Sequence, residues 1–268
     1  MKAKKMIDAT GDADLVRMLG YECMKSKKLQ PATLFVRLRG YDPALVKKAY
    51  VKEKIEEGIE NGELPRLATV ETILSSLERG VLDIHEACPF DIDTAKGKSE
   101  LELRARKNAL KMVHFLRNIR GMEELQIDHA AWECAIRESN RIVGEHMITW
   151  EEYISGVEYE DTVCNAFYPI DLHQEFGIKQ KFFAEGVYAH IPYRALIPKG
   201  AIHVLAAGRI ISSDADANSG LRVQAPCMAE GQVAGCAAAI AAARGVGVKE
   251  VPYGELMKAL EKLGAVYA

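Results

Sequence analysis

The stretch HVLAAGRIISSDADANSGLRV, His203–Val223, decides how this chain is read. It opens on an apolar run of the buried-strand type, His203–Ala207, that ends at Gly208–Arg209. A Ser/Asp-rich segment follows and reads as a polar loop, then Gly220 and Arg222. Directly behind it QAPCMAEGQVAGCAAAIAAARG predicts an Ala-rich helix over Ala225–Arg244, closed by Gly245. Ligands of open α/β sheets sit at the carboxyl ends of the strands. A helix start offers unsatisfied N–H groups and partial positive charge, which suit phosphate, carboxylate or an electron-rich carbonyl. Arg222 adds a permanent charge just before that start. Each feature alone also describes an ordinary turn or an ordinary helix start. Gly231 and Gly235, four apart, share a helix face with Cys227 and Ala239 and would let that face approach a backbone or a flat ligand.

The same pattern stands at the other end of the chain. KKMIDATGDADLVRMLG predicts a short strand over Lys5–Ala9, a break at Thr10–Gly11–Asp12 and a helix over Ala13–Leu19. A strand that short needs sheet neighbours. The segments between read differently. ATLFVRLRG alternates Leu34, Val36 and Leu38 with Phe35, Arg37 and Arg39 as a strand, with Phe35 implying partial cover on both faces. Asp42–Pro43 signals a helix over Leu45–Gly58, and GVLDIHEACPFDID reads as extended. Ser99–Ile119 predicts a long amphipathic helix with the stripe Leu103, Ala109, Leu110, Val113 and Leu116, and Asp128–Glu138 a second helix. Thr149 is a cap for a helix through Glu151–Ile154, NAFYPIDLHQEFG and GVYAHIPYRALIP are extended, and Tyr253–Leu263 is a last helix. The first and last parts read as parallel α/β material and the middle as α+β.

A net charge of −3 over 268 residues gives no reason to expect nucleic acid or a membrane surface as partner. The basic clusters Lys2, Lys4, Lys5 and Lys25, Lys27, Lys28 read as solvated edges. Six scattered cysteines without a C-x-x-C pair do not predict a zinc site or a redox dithiol. No signal-peptide h-region follows the N-terminus, and the longest apolar stretch, Val233–Ala243, is too short to span a bilayer, so the expected compartment is the cytoplasm. Asp171, His173 and Glu175 in DLHQE would face one side of a strand, as an acid/base group or, more simply, a solvated face; the ligand count is too small to predict a metal.

Several separated segments, in order, resemble the FAD-dependent oxidoreductase family, whose FAD fold carries an inserted substrate domain. They are IDATGDADL (Ile7–Leu15), AIRESNRIVGEHMIT (Ala135–Thr149), YPIDLH (Tyr168–His173), YAHIPYRALIP (Tyr188–Pro198) and LAAGRIISSDADANSGLRVQAPCMAEGQVAGCAAA (Leu205–Ala239). The resemblance implies a partial FAD/NAD(P)-binding-type parallel-sheet domain at 1–21 and 191–268, with an inserted α+β substrate domain at 22–190. It implies FAD as cofactor and a small-molecule substrate. It places Ala9, Thr10 and Gly11 by the nucleotide part, Ala207, Gly208 and Arg209 by the pyrophosphate or ribityl part, and Gly220, Leu221, Arg222 and Val223 by the isoalloxazine ring. Substrate-side candidates are His173, Tyr193 and Arg194, with Arg137 as an anion clamp. Two departures stand out: Ala215 occupies a loop position where the family often has histidine, and the family's strand–G-x-G-x-x-G–helix unit is not in these residues. A separate N-terminal FAD-binding chain is therefore an expected partner, and a non-catalytic binding or scaffold subunit is the alternative to an enzyme.

Overall fold

A computed structural model describes residues 2–64, 70–174 and 177–266. Strand β1 (Met6–Asp8) runs into helix α1 (Asp14–Met18) and strand β2 (Cys23–Lys25). Then come β3 (Ala32–Arg39), α2 (Lys48–Glu60), α3 (Val70–Glu78), β4 (Val81–Glu86), α4 (Ala95–Leu116) and β5 (Gln126–Ala130). They are followed by β6 (Asn140–Ile142), α5 (Trp150–Ser155), β7 (Thr162–Ala166), β8 (Ile170–His173), β9 (Ile178–Lys181), β10 (Ala189–Pro192) and β11 (Val204–Ala206). Helices α6 (Ala215–Leu221), α7 (Gln224–Arg244) and α8 (Tyr253–Lys262) complete the order. The result is a mixed α/β chain with small sheets.

The described residues form two compact units, one of 2–27, 138–172 and 179–266, the other of 28–64, 70–137, 173–174 and 177–178. Compactness thus groups 22–27, 138–172 and 179–190 with the two ends of the chain, whereas the expected insert ran over 22–190.

In the first unit β1 and β11 pair in parallel, with Met6 opposite Val204, Ile7 opposite Leu205 and Asp8 opposite Ala206. It is the only parallel strand pair among the described residues; β2–β6 and β7–β10 are antiparallel. Helix α7 buries Val233, Ala234, Ala237 and Ala241 in the same core as Leu205 and the α8 residues Leu256 and Leu260. Small side chains along that face allow close packing without large rotamer losses. Gly245 takes φ 69° and ends α7 as a left-handed cap. Thr149 caps α5 as the sequence implies: its hydroxyl accepts from Glu152 N, and the Glu152 carboxylate accepts from Thr149 N.

The segment expected as a loop after Ser212 contains α6. The Asp214 carboxylate accepts from Ala217 N at 2.8 Å, an N-cap that starts the helix at Ala215. Arg222 is therefore the C-cap of α6, and α7 begins two residues later at Gln224.

In the second unit the sheet order is β4–β3–β5, all antiparallel. Ala32, Leu34, Val36 and Leu38 are buried on one face of β3, while Phe35 is 45% exposed on the other. One face is covered, not two. Helix α4 supplies much of the cover, but through Leu101, Ala105, Ala109, Met112, Val113 and Leu116. Leu103 and Leu110 of the expected stripe are exposed. A two-residue step turns a helix by roughly 200°, so Leu101 and Leu103 point to opposite sides. The expected helix over Asp128–Glu138 is also corrected. Its backbone groups are taken by β3: Val36 pairs with Ala130, Ala131 N donates to Phe35 O, and Thr33 exchanges both backbone bonds with Ala135. An available sheet edge outweighs a weak helical pattern.

Leu101→Ala should cost about 2–5 kcal/mol of stability and Leu103→Ala less than about 0.5 kcal/mol, read as urea midpoints. The opposite order would place the buried face of α4 where the sequence stripe put it.

Candidate functional site

The carboxyl ends of β1 and β11 lie side by side, and the chain on both is shaped by hydrogen bonds that the sequence prescribes. Asp8 is 1% exposed and ends β1. Its Oδ1 accepts from Thr10 N at 3.0 Å and from the Thr10 hydroxyl at 2.8 Å, and its Oδ2 accepts from Val16 N at 2.9 Å. One carboxylate thus folds the Ala9–Gly11 turn and anchors α1. The Thr10 hydroxyl in turn accepts from Asp14 N at the first turn of that helix. Across the strand pair, Ala207 N donates to Asp8 O at 3.0 Å. Gly11 has φ 81°, and a Cβ there would collide with the Arg209 guanidinium at 2.9 Å. The positive φ favours glycine at that position, and its lack of a side chain lets the Arg209 guanidinium lie against it. Arg209 Nη2 pairs with Asp12 Oδ1 at 2.9 Å. Residues almost two hundred positions apart therefore form one charged corner.

The family-like segment around residues 138–141 supports this corner from beneath. The Ser139 hydroxyl bonds Asp12 Oδ1 at 2.7 Å and Asn140 Nδ2 donates to Asp12 O at 3.2 Å. Arg141, 3% exposed, is ion-paired to the buried Glu138 and donates through Nε to Ser213 O at 2.9 Å.

The second half of the opening stretch joins at Asn218, whose Nδ2 donates to Arg209 O at 2.9 Å. Gly220 is fixed by packing: a Cβ would strike the Tyr153 ring and hydroxyl, and that hydroxyl donates to Tyr168 O at 2.7 Å. Leu221 is fully buried in the core. The Arg222 guanidinium reaches Asp171 O at 3.4 Å; burial lowers its pKa, and the Asp171 carboxylate works against that shift. Asp171 is itself buried, with Oδ1 accepting from Gln180 Nε2 at 3.1 Å and its backbone N–H bound to the Ser219 hydroxyl. It belongs to a packed polar layer, not to a solvated face. Val223 precedes α7 with no side-chain cap, so the first N–H groups of this 21-residue helix keep their donor capacity. A Cβ at Gly208, Gly231 or Gly235 would meet nothing within 4 Å, which leaves these backbones approachable.

Four buried polar atoms of the same stretch have no hydrogen-bond partner among the described residues: Arg209 Nε, Ser213 Oγ, Asn218 Oδ1 and Glu230 Oε1. Such atoms are costly to bury and rare in folded chains. Glu230 is fully buried on α7, and its Oε2 accepts from Gly208 N at 2.8 Å. Burial pushes its pKa well above the usual carboxylate range, with the Gly208 N–H opposing the shift. Cys227, one turn earlier, is raised to about 12 by burial and then by Glu230. Burial thus disfavours the charged form of both the Glu230 carboxyl and the Cys227 thiol.

The substrate-side candidates fall in different places. Tyr193 is 6% exposed in the first core and gives its hydroxyl to Val248 O at 2.7 Å; burial raises its pKa. Arg194 forms a two-bond ion pair with Asp161, 3.0 Å for each bond. Tyr193 thus has a buried hydrogen bond and Arg194 a carboxylate partner, and neither is bonded to the strand-end corner. In the second unit His173 and Arg137 do come together, through a residue the sequence reading missed. His85 packs edge-on against the His173 ring with centroids 5.6 Å apart, and its pKa is lowered by burial and then by Arg137. Arg137 Nη1 donates to Pro31 O at 2.6 Å and to the Thr33 hydroxyl at 2.7 Å. Thr33 stands opposite His85 in the β3–β4 register, which fixes the group. Glu175 of the DLHQE row lies outside the described residues. No cluster of three or more His, Cys, Asp or Glu side chains suited to a metal occurs among those described. No described helix is long and apolar enough to cross a membrane.

A family model described as FAD dependent oxidoreductase matches residues 1–260. The chain belongs to the FAD-dependent oxidoreductase family. FAD is accordingly its cofactor, and oxidoreduction its general chemistry. No curated protein and no solved structure matches it. Read as a member of this family, the chain brings Ala9–Gly11, Ala207–Arg209 and Gly220–Val223 into one connected region of the first unit. Asp12, Ser139, Asn140 and Glu230 were missed in the sequence. All four stand within quoted motif segments; Glu230 is the one acid in the Ala-rich helix of its segment.

The Glu230 shift has a definite sign. An unfolded glutamate titrates near about 4.3. Because the folded pKa is raised, the native state keeps a proton that the unfolded chain has lost above that pH. Stability then falls as pH rises, by up to about 1.4 kcal/mol per pH unit, until the folded pKa is passed. Glu230→Gln should remove this slope, so that urea midpoints of variant and parent diverge in the variant's favour as pH rises above the unfolded value of about 4.3. Parallel curves would mean that Glu230 titrates as an ordinary carboxylate.

Proposed function

We propose that the first unit forms one wall of an FAD site and that the protein transfers a hydride or electrons between an organic small molecule and the flavin. The observation that carries this reading is the set of orphaned buried polar atoms on Arg209, Ser213, Asn218 and Glu230, gathered in the segment that resembles the family's FAD-contacting stretch. A bound polar group would give such atoms partners. The donor set suits a dinucleotide: Arg209 and Arg222 bring two cations, the uncapped start of α7 brings backbone N–H groups, and Gly208 leaves room for close approach.

FAD supplies the redox chemistry itself; the protein binds, orients and tunes. Ala9, Thr10 and Gly11 are assigned to the nucleotide part and Ala207, Gly208 and Arg209 to the pyrophosphate or ribityl part. Arg222 and the α7 start are assigned to the ring edge, where positive potential favours the negatively charged reduced state. Arg137 and His173, now with His85, are the proposed substrate-side group: the guanidinium attracts an anionic substrate, and the two imidazoles can hold or pass a proton. Burial and Arg137 keep His85 neutral at pH 7, as a proton acceptor must be. The G-x-G-x-x-G segment, which these 268 residues do not contain, is proposed to come from elsewhere in the polypeptide or from a separate chain.

Titration with FAD, followed by flavin fluorescence and absorbance, tests the reading, first on this chain and then with a G-x-G-x-x-G-bearing half added. Saturable uptake is expected, weakened about tenfold or more by Arg222→Gln, the order of one charge-assisted bond. Uptake only with the added half would support a shared site. No uptake under either condition, or uptake indifferent to Arg222, would leave the chain as a binding or scaffold subunit.

A further inference from the structure

A cavity lies within the second unit near the end of β3 away from Thr33, His85 and Arg137. Thr33 and Arg39 are six steps apart on that strand, about 20 Å, and the cavity opens just beyond Arg39. It has a volume of about 620 Å³, within the range of small-molecule sites. Tyr41, which follows β3, and Tyr50 on α2 contribute two aromatic rings. Val46, Val51 and Met122 contribute aliphatic surface, the last two being almost fully buried core residues.

The cations of this cleft set it apart from an ordinary surface groove. Lys47 and Arg120 line it from two different segments, the start of α2 and the turn before β5. The other α2 lysines beside it are engaged: Lys48 with Glu78, Lys52 with Glu71, and Lys54 with Glu57. Neither Lys47 nor Arg120 has a carboxylate within ion-pairing distance among the described residues. Glu123 acts on Arg120 only at longer range, its carboxylate accepting from Gly121 N at 2.9 Å. Asp42 is the one lining carboxylate, and its Oδ1 is spent on Ala44 N. The Tyr41 hydroxyl is likewise spent, donating to Leu77 O at 2.5 Å, which leaves its ring as the contact surface. The cleft therefore offers aromatic and aliphatic walls with two uncommitted cations at the rim.

We propose that this cleft binds a small aromatic carboxylate. The rings and aliphatic floor take the aromatic body by stacking and burial, and Arg120 and Lys47 take the carboxylate, for which a guanidinium fork is the matching donor. An uncharged ring would leave the cations without a partner, and a bare anion would leave the apolar walls uncovered. The site is separate from the His85, His173 and Arg137 group and does not depend on FAD.

The test uses the full chain without added flavin, with 2-naphthoate and benzoate as probes, by calorimetry and ligand-observed NMR. Saturable binding near about 1 mM is expected, the affinity typical of so small a ligand. Acetate and benzyl alcohol, each carrying half of the recognised chemistry, should bind at least about tenfold more weakly. The double variant Lys47→Ala, Arg120→Ala should weaken naphthoate by about tenfold or more, while Lys111→Ala, an exposed lysine outside the cleft, should not. Circular dichroism and a thermal melt verify that these surface variants fold. Absence of saturable binding of both probes, binding unaltered in the double variant, or equal binding of acetate would each overturn the proposal. Because no arm contains FAD, its failure is independent of the redox reading.

Discussion

The candidate FAD site depends on a three-residue parallel pairing. With Asp8 opposite Ala206, the two strands end at the same level, and everything said of the strand-end corner follows from that register. A slip of one residue would turn Asp8 from the interior to the other face and detach it from Val16 N. The cost would include a buried carboxylate stripped of three donors, far more than the strand bonds alone supply. Asp8 thus fixes both the register and the turn after it. The short strand is specified by its last residue more than by its apolar ones.

Charge follows the same logic. Arg141 and Glu138 are both nearly inaccessible, and pairing them gains little net stability against their desolvation. What they do is fix geometry: Arg141 reaches Ser213, while the adjacent Ser139 and Asn140 hold the Asp12 segment. Asp12 can then hold Arg209 against Gly11. A guanidinium held from one side keeps donors on the other, and Arg209 Nε is among the atoms left without a partner. Preorganised donors of this kind are worth more to a bound anion than mobile ones, because their ordering is already complete.

What the sequence revealed and what it hid divide along physical lines. Strand ends marked by glycine, the Thr149 cap and the Gly245 stop are local devices, and each stands where its residues predict. Elements decided by tertiary pairing were hidden. Residues 128–138 carry a weak helical pattern, yet the edge of β3 claims their backbone. Helix α3, with Ile73, Leu74 and Leu77 buried, was not read from the sequence although Gly80, at φ 71°, stands just past its end. Helix α6 was masked by its Ser, Asp and Asn content, which reads as loop until Asp214 is recognised as the cap. In the site, a motif brought Arg137 and His173 forward, but His85 lies on a strand more than fifty residues from either in sequence, and only the β3–β4 register sets it beside Thr33. For Tyr193 and Arg194, residue type does not disclose a committed partner: the tyrosine hydroxyl is bonded to Val248 O and the guanidinium to Asp161.

The same criterion, whether a polar group is already committed, separates function from scaffold throughout this chain. Where each donor has an acceptor, as in Arg194 or the α2 lysines other than Lys47, the arrangement accounts for itself as folding. Where buried atoms stand unmatched around Gly208 and Asn218, folding alone does not account for them, since burial of such groups without partners is unfavourable. Glu230 is the sharpest instance. An apolar residue would fit an Ala-rich helix better, yet a carboxylic acid is held there at the expense of its ionisation, with one oxygen on Gly208 N and the other unmatched. Its neutral form carries an O–H directly beneath the turn that the family resemblance assigns to FAD, where it can fix the Gly208 backbone without adding a negative charge that would repel a phosphate. An ionised acid at that position would do the reverse, and burial is what prevents it.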